Sequence, residues 1–444
     1  FPMRSSKYLH NPLISGTLLL TVAGFLTKII GFFYRIFLSR VFQDEGLGII
    51  GLIAPVSMLV HSICSAGLQN AITKYVAASK EHESESCSYL FSGIAISLSL
   101  TVILSVCIFT NADTIAAVLI HESRTAPLLR ILALSFPMAS VHTCLNGYFY
   151  GWQKAGIPSW SIIIEQCFRV LSVYLLFRIY LLRGITMPLS GAAIGLFAGE
   201  CASAVFSSFM LWIQTLNKKF STDSALFSFS KCLELTKLAF PLSLNRICLS
   251  LFATVETFQL PKQLMASGLN SAQALSIYGV FSGMAFPLIM FPCALTGSAA
   301  TLLLPSISQA QAKGNTNQIK KAAFMTIILC FLLGFGCMFF LLTFANVIGS
   351  LLFQSQEASA QIRALSFACP FLYLSGMLSS ILHGLGKTGI TFLFSLISIV
   401  IRLFFVMYIV PLLGMNGYFY GILCSQICLD FLLIVALRHN IIYN

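Results

Sequence analysis

The stretch "GYFYGWQKAGIPSW" at residues 147–160 has a partner at 380–393, "SILHGLGKTGITFL", and the pairing organises the whole chain. At a constant shift of 233, Arg130 falls on Arg363, Pro137 on Pro370, Gly151 on Gly384 and Lys154 on Lys387. Gly156 then falls on Gly389 and Arg169 on Arg402. These are infrequent residue types matched without a gap, so chance is a poor explanation. A shift of 226 continues the match through the last span of each half, placing Gly191 on Gly417, Gly195 on Gly421 and Glu200 on Gln426. Nearer the start, "GLGIIG" (46–51) matches "ALSIYG" (274–279) only weakly. An internal repeat of this length is a common transporter device.

The medium is set by composition. Of 444 residues, 57% are hydrophobic and 9% charged, and the mean hydropathy is +0.89. A soluble domain carries about 25% charge, so this is a polytopic membrane protein. The formal charge of +12 does not indicate nucleic acid, because the basic residues are scattered through short loops. The 14 cysteines are also scattered, with no CxxC pair or His/Cys cluster that would suggest a metal site. They read as small apolar residues.

A span needs about twenty apolar residues. The chain offers roughly 13–39, 48–74, 86–110, 125–151, 157–183, 188–215, 236–262, 276–304, 322–345, 363–385, 388–412 and 415–437, about twelve in all. Lysine and arginine concentrate in alternate connections (Lys74, Lys80, Lys154, Lys218, Lys219, Lys313, Lys387), which places both termini in the cytoplasm. The longest connection, 217–237, joins spans six and seven. The expected organisation is an N-lobe (1–216, spans 1–6), a cytoplasmic linker (217–235) and a C-lobe (236–444, spans 7–12). The repeat preserves span parity, so its axis runs along the membrane normal, and two like bundles leave a cleft between them for cargo.

"SIIIEQCFRVLSVYLLF" at 161–177 is apolar except for Glu165 and Arg169. A charge near the bilayer centre costs roughly 2.5–3.5 kcal/mol. The i, i+4 spacing puts both groups on one helix face, where they neutralise each other. Glu200, Glu256 and Asp430 are the other intramembrane acids, read with Glu165 and Arg169 as structural or coupling charge. Lys28, Arg35, Arg246 and Arg402 have no acid at helical spacing in their own spans. Lys28 and Arg35, seven apart, share one face of the first helix, expected to look into the bundle. Two readings stand for these cations: they pair across helices or snorkel to the interface, or they line a water-filled cleft. Guanidinium groups suit a diphosphate, whose oxygens they hold bidentately. Asn70 is grouped with them as a substrate-binding residue. "GLGKTG" (384–389) resembles a phosphate loop, but the pattern needs a glycine at position 381, which is Ile381. It reads as a tight turn.

Three stretches, "SGTLLLTVAGFLTKIIGFFYRIFLSRVFQDEGLGIIGLIAP", "AGLQNAITKYVA" and "FPLIMFPCALTGSAATLLLPSISQAQAKG", closely resemble the stage V sporulation protein B family. "GAAIGLFAGECAS" extends the resemblance, which covers almost the whole chain. That family sits beside the MurJ lipid II flippases in the multidrug/oligosaccharidyl-lipid/polysaccharide exporter superfamily. The resemblance implies an all-α integral membrane protein with two pseudo-repeated six-helix lobes in a V-shaped bundle. It implies a flippase carrying an undecaprenyl-diphosphate-linked saccharide to the outer leaflet of the bacterial cytoplasmic membrane, for peptidoglycan, spore cortex or polysaccharide export. MurJ-type proteins carry basic residues on their first two helices; Lys28 matches one position, Tyr34 followed by Arg35 stands near another, and His61 near a third. Expected partners are the lipid-linked saccharide, the bilayer and cell-wall synthesis enzymes, with no cofactor beyond a coupling ion, Na+ or H+. A cation-coupled multidrug antiporter is the alternative, but it would want buried carboxylates where this interior leans basic. A membrane glycosyltransferase or polymerase would need acidic or metal-binding residues on a sizeable outer loop. The expectation is therefore a transporter and not an enzyme.

Overall fold

Helices form wherever the apolar runs were read, in a computed structural model that describes residues 12–79, 83–216 and 228–442. We label them α1 (Pro12–Cys64), α2 (Ala66–Ala78), α3 (Glu83–Thr110), α4 (Ala126–Gly151), α5 (Gly156–Leu182), α6 (Ser190–Leu216) and α7 (Phe229–Ala266). Then follow α8 (Ser271–Met290), α9 (Cys293–Ala312), α10 (Thr316–Phe353), α11 (Gln356–Ser366), α12 (Cys369–Gly384), α13 (Thr388–Leu413) and α14 (Met415–Ile442). There is no strand among the described residues. Large apolar side chains such as Leu332 (72% exposed) and Phe339 (63%) stand on the outside of α10, where only hydrocarbon would receive them.

Nine of these helices are long and apolar enough to cross a membrane, or ten if the pair α11/α12, bent by 56°, is one broken span. The difference from twelve has local causes. The first two expected spans are both present, as two helices that meet within α1 at a kink at Gln43 (φ 56°, ψ −173°) with no loop between them. The fifth, α5, carries Glu165, Arg169 and Arg178 and is not among the nine. The tenth bends just before Pro370, where the missing N–H and the ring disfavour continuous helix; the eighth, split into α8 and α9 around Pro292, is still one of the nine.

Two compact units result, one from residues up to 31 with 52–254, the other from 32–51 with 255–444. The expected boundary was the 217–235 linker. Its residues 217–227 lie outside the described residues, and its remainder opens α7. The units change over within α1, whose middle (32–51) belongs to the second, and within α7, after residue 254. The first unit's core gathers Leu68, Ile72, Leu90, Leu145, Phe149 and Leu235. The second gathers Ile307, Leu374, Leu378, Ile381, Leu382 and Leu433.

Within the second unit, residues 44–51 cross α8 at backbone contact. A Cβ on Gly48 would lie 2.1 Å from Leu275 O, and one on Gly279 would lie 1.9 Å from Asp44 O. The weakly matching segments 46–51 and 274–279 are thus the two partners of one crossing, and their glycines are what the close approach requires.

The repeat is visible in detail. A wide turn of helix ends in a left-handed residue at His121 (φ 61°) and again, 233 residues on, at Gln354 (φ 55°). Arg130 Nη2 donates to Asp113 at 2.5 Å, and Arg363 Nη2 donates to Asn346 Oδ1 at 2.8 Å. The turns at 151–156 and 384–389 also coincide: Lys154 N donates to Phe149 O, and Lys387 N to Leu382 O, both at 2.9 Å. The left-handed position there is Gln153 in the first copy and Gly386 in the second.

Candidate functional site

In the first unit, α5 brings Glu165 and Arg169 onto one face, and Arg169 Nη2 closes on Glu165 Oε1. Helix α6 approaches because Gly199 has no side chain: a Cβ there would sit 2.8 Å from Glu165 O. Below it Ser161 meets Ser203 and Ser207 at 2.6 and 3.1 Å, small hydroxyls that let the two helices touch. The next residue, Glu200, reaches Arg169 at 4.0 Å with Oε1, while its Oε2 lies 3.2 Å from Nδ1 of His142 on α4. All four side chains are at most 20% exposed. Two carboxylates thus share one guanidinium and one imidazole, an arrangement that satisfies the demand for pairing inside apolar surroundings.

Arg169 and Glu200 of this network line a 260 Å³ cavity, together with His61, Ser65, Thr101 and Ser135. His61 is exposed and within electrostatic reach of Arg246, which is exposed on α7. The first half of α7 is held against this unit by Ser62–Ser250 (2.8 Å) and by Gly67, whose missing Cβ makes room for Ala239 O and Ser243. Lys28 and Asn70 are also exposed on this unit. Neither Lys28 nor Arg246 forms an ion pair among the described residues.

Histidine and two carboxylates invite comparison with a metal centre, since ligand atoms of His142, Glu165 and Glu200 lie within 4.8 Å of one another. The guanidinium of Arg169 already supplies a positive charge to both carboxylates. The donor set therefore fits a self-balanced network better than a bound cation.

In the second unit, Arg402 on α13 is engaged. Its Nη2 donates to Glu256 Oε2 at 3.1 Å, Nε lies 3.0 Å from Oε1, and the Tyr418 hydroxyl donates to Oε1 at 2.9 Å. Sequence reading set Arg402 among the substrate cations because no acid stands in its own span; the acid comes from α7, 146 residues away. Glu256 is 5% exposed. Arg35 belongs to this unit, exposed, with Nη1 donating to Ser282 O at 3.0 Å. Lys28 and Arg35 were expected on one inward stripe; both are exposed, and the first unit ends between them at residue 31. Asp430 is 4% exposed in the apolar core, and its carboxylate has no hydrogen-bond partner among the described residues. The sequence reading did not single out His142 or Tyr418 as partners of these acids; nothing local to "SVHTC" or "NGYFY" marks a contact made across helices.

The sequence profile of the polysaccharide biosynthesis protein family matches residues 13–311, so the chain belongs to that family; a second profile, MatE, matches 246–408. Among individual proteins, it is 28% identical over 415 residues to stage V sporulation protein B of Bacillus subtilis (strain 168), covering 91% of this chain and 79% of that one. It is 20% identical over 325 residues to the lipid II flippase MurJ of the same organism, covering 69% of this chain and 60% of that one. Its fold matches, at a TM-score of 0.75 and 14% identity over 96% of this chain and 98% of the other, an inward-facing multidrug resistance MATE family transporter of the MOP superfamily.

Proposed function

We propose that the protein is a flippase that moves an undecaprenyl-diphosphate-linked saccharide across the bacterial cytoplasmic membrane by alternating access, with both termini in the cytoplasm. The observation that carries this is the charge balance of the first unit. Its buried acids, Glu165 and Glu200, are matched by Arg169 and His142, whereas Lys28 and Arg246 are exposed with no carboxylate partner among the described residues. A diphosphate supplies the missing anion, and cationic donors hold it strongly where water is scarce. A carrier of cationic drugs would leave carboxylates unmatched there instead. The relatives named for sporulation and for lipid II support a role in peptidoglycan or spore cortex assembly. Arg402, engaged by Glu256, would act as a structural charge.

Lipid II uptake into protein-containing liposomes, together with complementation of a strain lacking its flippases, tests the reading. Removing one cation should cost about 1–3 kcal/mol of headgroup affinity, as for a charged hydrogen bond. Arg246→Lys should impair transport less than Arg246→Ala, since it keeps the charge and loses only the planar fork. Full function in the Lys28→Ala, Arg246→Ala double variant, at matched membrane levels, would rule the site out.

A further inference from the structure

The second unit contains a larger cavity, of about 760 Å³, that the charge network above does not involve. Its walls come from three connections: the turn within α1 at residues 43–45, the α7–α8 connection with the start of α8, and the α10–α11 connection. Each joins an odd-numbered span to the next, so all three lie on the membrane face opposite the N-terminus.

The lining is polar in a particular way. Arg40 donates, Asp44, Glu45 and Glu357 accept, and Gln273 and Ser276 do both. Three carboxylates against one guanidinium make the cavity net negative. Its acids are not drawn together as metal ligands: the one group of metal-binding side chains with ligand atoms in close reach, among the described residues, lies in the first unit. Its volume falls within the roughly 300–1,000 Å³ of small-molecule sites. The walls are also fixed. Ser355 Oγ donates to Asp44 Oδ2 at 3.2 Å, and Arg40 Nη2 donates to Leu351 O at 3.2 Å. Gln361, 1% exposed, donates to both Glu357 Oε1 (3.1 Å) and Ile277 O (3.0 Å) from behind the wall, and its own Oε1 has no partner among the described residues. Gln43 and Gln354, both left-handed and neither a glycine, line the same space, a backbone cost that persists only where surroundings enforce it.

We propose that this cavity binds the neutral saccharide of the cargo, on the side where the cargo is released. A net-negative wall repels a diphosphate. A polyamine would meet the Arg40 guanidinium. Sugar hydroxyls, which donate and accept at once, match carboxylates, amides and a guanidinium set side by side. The inference rests on the reading that the cargo carries a saccharide, and it assigns that part of the cargo a site separate from the cations of the first unit.

The test uses the full chain in lipid nanodiscs and chitotetraose as probe, with binding followed by calorimetry. The unmodified protein should bind with an affinity in the millimolar range, or about −4 kcal/mol, and equimolar pyrophosphate should not compete. Ala272 lies exposed on the cavity wall, so Ala272→Trp fills the space without removing a charge. That variant and the Glu45→Gln, Glu357→Gln double variant should each weaken binding at least about tenfold. Arg246→Ala should leave it unchanged. No binding of either chitotetraose or maltotetraose by the unmodified protein, unaltered binding in Ala272→Trp, or displacement by pyrophosphate would each overturn the proposal. Cavity-dependent sugar binding by a protein that never transports lipid II would leave the cavity standing and defeat the transport reading; transport without sugar binding would do the reverse.

Discussion

Replacing Arg402 with methionine separates a structural cation from a substrate cation. The variant leaves Glu256, 5% exposed, with the Tyr418 hydroxyl as its remaining partner. Removing one member of a buried ion pair costs about 3–5 kcal/mol, because the other charge stays desolvated. The Arg402 side chain is 24% exposed, against 6% for Glu256, so the pair is not fully dry and the lower end, about 3 kcal/mol, is the better figure. The reverse variant, Glu256→Gln, should cost less, about 1–2 kcal/mol, since the partly exposed guanidinium can extend toward water. Combining Glu256→Gln with Arg402→Met removes both charges and should recover most of the loss, leaving a coupling of roughly 2–3 kcal/mol. The assay is unfolding of purified protein in mixed micelles by titration with sodium dodecyl sulfate, followed by tryptophan fluorescence and run beside lipid II binding. An Arg402→Met protein as stable as the unmodified one, but unable to bind the headgroup, would refute the structural assignment.

Gly279→Ala places a methyl 1.9 Å from Asp44 O, a backbone atom that cannot swing aside. It should cost about 1–3 kcal/mol or more and lower the yield of folded protein. Gly336→Ala, with nothing within 4 Å, should be neutral or slightly stabilising, and a thermal-shift measurement on both variants checks the contrast. At the loop end before α4, Arg124 donates from Nε (2.7 Å) and Nη2 (3.0 Å) to Glu122 and holds its carboxyl below the usual glutamate range. A depressed folded value means the contribution is present above the unfolded glutamate value and is lost as pH falls through the folded one. Thermal midpoints should therefore decline in acid more steeply for the native chain than for Glu122→Gln; parallel profiles would remove Glu122 from the account.

What the sequence disclosed depended on how far apart the partners stand. Glu165 and Arg169 are four residues apart on one helix, and their pairing was readable at once. Glu256 and Arg402 are as closely joined, but their contact exists only after α7 and α13 pack, so hydropathy left Arg402 looking unmatched. The repeat was legible because arginine, proline, glycine and lysine are infrequent types held in register. The break between the first two spans was legible as the polar stretch between residues 39 and 48, where Gln43 turns, whereas hydropathy windows read straight through the breaks at Pro292 and Pro370. The 760 Å³ cavity was invisible for a related reason: its polar residues look like ordinary loop composition until three separate connections converge.

The doubled architecture also makes each half a reference for the other. Where the first copy ties its arginine clamp with a carboxylate, Asp113, the second uses the neutral amide of Asn346 at nearly the same length. Ionic strength can therefore weaken one clamp while sparing the other. One molecule contains both the charged and the uncharged version of the same joint. Exchanging Asp113 and Asn346 would show whether the two halves have been tuned to loosen under different conditions.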